Sequence, residues 1–187
     1  MTELQTTPSQ TVGPFLSIGM EWFEDPYVVP KDTAGGFWIR GHLYDGADDP
    51  VPDGMIESWQ ADPDGRFNHP DDPRGAAERT DGFRGIARSL TNAAGEWNLF
   101  TVRPGSVPTV DGQEQAPHID LTVMARGMLN RVVTRIYFSG EKLNDTDPVL
   151  SNVDAERRGT LIAQPTDDGF QLDIRLQGDD ETVFFIV

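Results

Sequence analysis

Ala116-Pro117-His118-Ile119-Asp120-Leu121-Thr122-Val123 alternates polar and apolar side chains from His118 onward. Successive side chains of a strand point to opposite faces. His118, Asp120 and Thr122 are therefore expected on one face, and Ile119, Leu121 and Val123 on the other. The run reads as a β-strand with one face in a core. It also reads as an interrupted metal motif. Two histidines at this spacing would offer a pair of imidazoles to iron or zinc, but here the second place holds a carboxylate. His42 and His69 are the remaining histidines. On these residues alone, a plain half-exposed strand and a metalloenzyme scaffold that has lost its metal are both open.

Working outward, short strand signals fill the chain. Residues 37–44 alternate and stop at Asp45-Gly46; residues 55–60 end in the turn Asp62-Pro63-Asp64-Gly65. Residues 83–90 and 96–102 read as a hairpin around 91–95, and 118–125 and 131–138 as another hinged near Gly127. Residues 161–163, 170–176 and 182–186 close the series. A helix is expected only over 147–158, with Ser151 as its cap and Gly159 as its stop. Many short strands divided by Gly, Pro and Asp predict an all-β protein, a single β-sandwich domain over 37–187. Residues 1–36 are turn-rich and are expected to form an arm that wraps over a partner or pocket. The apolar end, Val183-Phe184-Phe185-Ile186-Val187, predicts a paired strand or an interface element rather than a frayed tail.

A chain of 187 residues suits one well-cored domain. It has no cysteine, which excludes thiolate metal sites and fits a reducing cytoplasm. No secretory signal opens it, and no apolar run nears the ~20 residues of a membrane helix. A net charge of -16 argues against nucleic acid. A small anion is still tolerable where local charge permits, because distant charges are screened. From Leu121 to Gly140 the chain carries Arg126, Arg131 and Arg135 and no acid. That stretch is the place for an anion, or else a solvated hairpin. Residues 60–65 carry acids like a calcium loop, but Gln60 stands at the first ligand position and the flanks read as strand, so they are not an EF-hand.

Several segments, in order, resemble the intradiol ring-cleaving dioxygenases, and within them the alpha chains of the two-chain branch acting on protocatechuate. They are Thr7-Pro8-Ser9-Gln10-Thr11-Val12-Gly13-Pro14-Phe15; Ile56-Glu57-Ser58-Trp59-Gln60-Ala61-Asp62 with Gly65-Arg66-Phe67; Gly95-Glu96-Trp97 through Thr101-Val102-Arg103-Pro104-Gly105; and Ala116-Pro117-His118-Ile119-Asp120. Asp173-Ile174-Arg175-Leu176-Gln177-Gly178 through Phe185 adds a fifth. The ordered set spans almost the whole chain.

The resemblance implies a non-haem Fe(III) held in the beta chain by two tyrosines and two histidines. Carried over, those ligand positions fall on Phe67, Val107, His118 and Asp120, and an arginine three residues before the first histidine falls on Gln115. Only His118 keeps the chemistry, so this chain is expected to bind no iron itself. The resemblance further implies that Thr11, Gly13, Pro14 and Phe15 of the arm line a substrate pocket. It places Arg126 near the substrate carboxylate, where a guanidinium can hold a carboxylate with two hydrogen bonds. The implied partners are a homologous iron-binding beta subunit, protocatechuate and O2, within aromatic catabolism by the β-ketoadipate pathway. The implied product is 3-carboxy-cis,cis-muconate, and the expected compartment is the cytoplasm, with no membrane or nucleic-acid partner. Two alternatives stand beside this reading: a self-sufficient metal enzyme built on His118, Asp120 and His69, and a ligand-binding or structural β-sandwich module.

Overall fold

The computed structural model describes residues 6–21, 26–67, 69–72, 74–75 and 82–186. Its strands, in chain order, are β1 (Phe37–Tyr44), β2 (Met55–Gln60), β3 (Ile86–Leu90), β4 (Glu96–Thr101), β5 (Val107–Pro108), β6 (Glu114–Gln115), β7 (His118–Met124), β8 (Val132–Phe138), β9 (Ile162–Thr166), β10 (Gly169–Gln171) and β11 (Ile174–Arg175). A four-residue helix, α1 (Leu16–Gly19), lies in the N-terminal stretch. The architecture is an all-β sandwich.

One layer runs β4-β1-β10-β9 and the other β9-β8-β7-β2-β3. β9 joins them, because its first residues pair with β8 and its later ones with β10. The alternation seen in the sequence decides what lies between the layers. Ile119, Leu121 and Val123 of β7 are fully buried, together with Ile39 and Leu43 of β1, Trp97 and Leu99 of β4, and Ile136 and Phe138 of β8. Residues 26–29 also join this core: Val28 is buried, donates its N–H to the Phe100 carbonyl and accepts from Arg84 N.

Several expectations are corrected. Residues 83–102 do not form a hairpin ladder; β3 pairs with β2 and β4 with β1, so the turn at 91–95 crosses from one layer to the other. The reason is burial on both sides of the turn, since Ala87 and Trp97 each face the shared interior. The stretch 147–158 is not a helix but two short 3-10 turns, one at Leu150–Asn152 and one beginning at Arg158. Asp147, not Ser151, supplies the cap, through Val149 N and Leu150 N. The Arg158 guanidinium takes the carbonyls of Ser151 and Val153, which a continuing α-helix would have needed. Gly159 lies inside the second turn rather than ending a helix.

Residues 170–176 divide into β10 and β11 because the Asp173 carboxylate, rather than a backbone carbonyl, accepts the His42 N–H. Residues 182–186 make a single bridge, Phe185 to Val133, instead of a strand ladder. Val187 lies outside the described residues, as do residues 1–5 and 22–25 of the expected arm.

Candidate functional site

The expected functional residues gather at the two ends of β7. His118 begins the strand, and Arg126 lies just beyond its far end in the turn to β8. At about 3.3 Å per residue the strand alone holds these ends roughly 20 Å apart.

At the near end, the ladder sets His118 opposite Tyr137 and Asp120 opposite Arg135. Arg135 Nε donates to Asp120 Oδ1 at 2.8 Å, and its Nη1 donates to Gln115 Oε1 at 2.8 Å. Tyr137 Oη donates to Asp147 Oδ1 at 3.1 Å, and the other Asp147 oxygen accepts Ala116 N at 2.7 Å. His118 is only 5% exposed, and its Nδ1 lies 2.7 Å from the Ala116 carbonyl oxygen. Trp59, on β2, is the register partner of Asp120, and Phe67 stacks on it at 5.9 Å with the rings nearly parallel. Val107 is the partner of Gln115 in the β5–β6 pair. Phe67, Val107 and Asp120 are thus connected through Trp59, Arg135 and Gln115, and His118 Nε2 lies 3.9 Å from Asp120 Oδ2.

That centre does not fit a ferric ion. A guanidinium already binds the Asp120 carboxylate, so a positive charge of the protein stands where a cation would have to bind. Phe67 and Val107 offer no donor atom. Among the described residues, no group of three His, Cys, Asp or Glu side chains is placed to hold a metal.

Burial, followed by the Arg135 guanidinium, pushes the His118 imidazole below its ordinary pKa of 6.5; Asp120 and the Ala116 carbonyl oppose the shift without cancelling it. The unfolded chain therefore takes up a proton here as pH falls through about 6.5 while the folded chain resists it. His118 makes the fold progressively less stable below that pH. In urea unfolding between pH 7 and 5, His118→Gln should flatten this part of the decline; an unchanged slope would show that His118 does not titrate in this way.

At the far end of β7 the arm meets the β7–β8 turn. Thr11 Oγ1 accepts Gly127 N at 2.7 Å, and Ser9 Oγ donates to Asn130 Oδ1 at 3.2 Å. Gly13 has φ 67°, a conformation that favours glycine; among the described residues, its two chain neighbours aside, nothing lies within 4 Å of where its Cβ would be. Phe15, at 77% exposed, and Ile18 turn outward from α1. Farther along, the Met20 carbonyl accepts Arg88 Nη1, and Arg88 is paired with Glu57 at 2.6 Å. The segment carrying Thr11 to Phe15 is thus fastened to the sheet on both sides. An open groove of about 470 Å³ lies beside it, between Val12, Met128, Leu129, Arg131 and Ile186.

The stretch that carries no acid in sequence is not free of acid in space. Asp53 reaches Arg126, and Asp120 holds Arg135. Asp53, Asp147 and the bond from Arg135 to Asp120 are the parts that sequence reasoning missed. A signal for the last existed: a hairpin folded evenly about residues 127 and 128 sets residue 120 opposite residue 135. No such local signal marks Asp53 or Asp147.

A family model described as "Dioxygenase" matches residues 13–178. The chain is 38% identical, over the full length of both, to the protocatechuate 3,4-dioxygenase alpha chain of Burkholderia cepacia. It is 37% identical to the alpha chain of Pseudomonas putida, covering 97% of this chain and 96% of the other. To the Burkholderia cepacia beta chain it is 29% identical over 77% of this chain and 65% of that one. Among solved structures, the dioxygenase domain of a carbohydrate-binding fusion protein from Streptomyces sp. SirexAA-E superposes with a TM-score of 0.59 at 24% identity, covering 93% of this chain and 99% of the other. Catechol 1,2-dioxygenase from Pseudomonas arvilla C-1 gives 0.61 at 18% identity, over 81% and 55%. These two likenesses concern the fold. No helix among the described residues is long and apolar enough to cross a membrane.

Proposed function

Because this chain belongs to the intradiol dioxygenase family, we propose that it serves as the alpha subunit of a protocatechuate 3,4-dioxygenase, contributing to a substrate pocket whose iron is carried by a homologous beta chain. The distance along β7 supports this reading. The arm and Arg126 stand roughly 20 Å or more from this chain's own former metal positions, too far to serve a substrate bound there. If they act on a substrate, the pocket is one completed by another chain. The Arg135–Asp120 pair supports the same division of labour, since it fills this chain's own centre with a guanidinium.

In this reading the beta chain's Fe(III) supplies the ring-opening chemistry with O2, from protocatechuate to 3-carboxy-cis,cis-muconate. The residues of this chain bind and orient. Arg126 meets the substrate carboxylate with its terminal nitrogens, a charge-assisted contact. Thr11 fixes the arm to the turn that carries Arg126, and Gly13, Pro14 and Phe15 form the outward wall that excludes water. Orientation of a bound reactant can lower a barrier by up to roughly 7–11 kcal/mol, so a subunit without metal can govern the rate.

Arg126→Ala tests the assignment in the assembled two-chain enzyme. A lost charge-assisted contact costs about 1.5–3 kcal/mol, so KM for protocatechuate should rise about ten- to hundredfold. KM for catechol, which lacks the carboxylate, should hardly move. Equal losses on the two substrates would remove Arg126 from the role. Iron analysis checks the other half. The chain produced alone should retain none after dialysis, and stoichiometric iron would revive the reading of a self-sufficient enzyme on His118, Asp120 and His69.

A further inference from the structure

Arg126 is held by a residue whose backbone is strained. Its Nε lies 3.2 Å from Asp53 Oδ2, brought in by the loop between β1 and β2. Asp53 has φ 144°, and with Asp48 it is one of two non-glycine residues with positive φ among those described. Side chains with a Cβ rarely occupy that region, and where they do the surrounding structure over-determines them.

The over-determination is visible. Thr91, nearly buried, accepts Asp53 N at 3.1 Å and Gly54 N at 2.7 Å through its hydroxyl, and donates to the Val51 carbonyl at 2.7 Å. Val51 N in turn donates to the Leu43 carbonyl of β1 at 2.9 Å. The loop is thus fastened to β1 and to the residue after β3, and the strain falls on the one residue whose carboxylate meets Arg126. Asp53 is also the less exposed partner, its side chain 21% accessible against 55% for Arg126. The anchor is the aspartate, and the arginine is what it holds.

We infer that Asp53 is the positioning residue for Arg126: its carboxylate occupies the Nε edge of the guanidinium and leaves the two terminal nitrogens directed at an incoming carboxylate. This deepens the proposed function and rests on its assignment of Arg126. An arginine already held by an ion pair has less freedom to lose when an anionic substrate arrives. The Thr91 hydrogen bonds hold Asp53 in the strained conformation that sets its carboxylate beside Nε.

The test uses the assembled enzyme. Asp53→Gly accepts the same φ without strain and deletes the carboxylate. KM for protocatechuate should rise roughly three- to tenfold, the size expected for one long side chain that must now be ordered on binding. KM for catechol should stay put, and the thermal midpoint should not fall. Asp53→Asn keeps an oxygen for Nε and should give an intermediate KM. In an Arg126→Ala background, Asp53→Gly should add nothing, because the residue it positions is gone. Equal effects on both substrates, full additivity with Arg126→Ala, or a midpoint lowered by several degrees would each overturn the inference. If Arg126→Ala itself fails to separate the two substrates, the pocket assignment falls instead, and the two failures are distinguishable.

Discussion

Asp147→Ala should remove about 4–6 kcal/mol of folding stability, an exceptional loss for one side chain. Asp147 is fully buried, and its two oxygens accept from Ala116 N, Val149 N, Leu150 N and Tyr137 Oη. Alanine would strand these donors, and each buried group left unpaired costs about 1–3 kcal/mol. The sum is less than additive, because the 3-10 turn at residues 150–152 can partly reopen to water. Total stabilities of about 5–15 kcal/mol leave little margin for such a loss. The bond to Ala116 N also sets where β7 begins, and therefore where His118 stands. Asp147→Asn separates the contributions. It can still accept from Val149, Leu150 and Tyr137, but its amide then faces the Ala116 N–H, donor against donor. Roughly half of the loss should remain. Chemical denaturation of the three proteins measures this directly; a change below about 1 kcal/mol for alanine would show that water replaces the carboxylate.

Arg135→Met should cost about 2–4 kcal/mol, because it leaves Asp120 unpaired beside the core and takes the donor from Gln115. The pair is partly accessible, so the loss sits at or below the 3–5 kcal/mol typical of breaking fully buried pairs. The informative comparison is Arg135→Met combined with Asp120→Leu. Replacing both charges by apolar groups removes the desolvation cost along with the attraction, and the double variant should recover most of the stability. A double variant as unstable as the single one would mean that the bonds Arg135 Nη1 donates to Gln115 Oε1 and, at 3.4 Å, to Tyr137 Oη, not the ion pair, hold this end of the sandwich. The single variant also bears on His118. Without the neighbouring guanidinium, the main opposing charge to protonation is gone while Asp120, 3.9 Å away, still favours it. The variant's stability should therefore fall less steeply between pH 7 and 5 than the wild type's.

Much of the sandwich was legible residue by residue. β1 and β2 begin and end where alternation and turn residues place them, and β7 and β8 form the expected hairpin. The errors have a common cause. The turn at 91–95 has the same local chemistry whether the strands beside it pair with each other or diverge into two layers, and only the burial of Ala87 and Trp97 in a shared core decides. The stretch 147–158 carries enough helical signal to suggest a helix, but the Asp147 carboxylate and the Arg158 guanidinium divert its N–H and C=O groups. The candidate site divides likewise. The resemblance put Phe67, Val107, His118 and Asp120 forward as one group, and the structure adds Trp59, Arg135 and Gln115 beside them.

Which β7 side chains enter the core could be read from residues 118–123 alone, because strand geometry fixes that alternation within a few residues. That the Phe67 and Val107 side chains bring no ligand atom to a metal was equally readable, because it is a property of those side chains wherever they lie. What Asp53 and Asp147 hold, Arg126 in the first case and Ala116 N with Tyr137 in the second, became visible only in the folded chain. Both come from loops whose positions exist only once the sheet has closed on itself, and a contact across such a closure leaves no local periodicity to read.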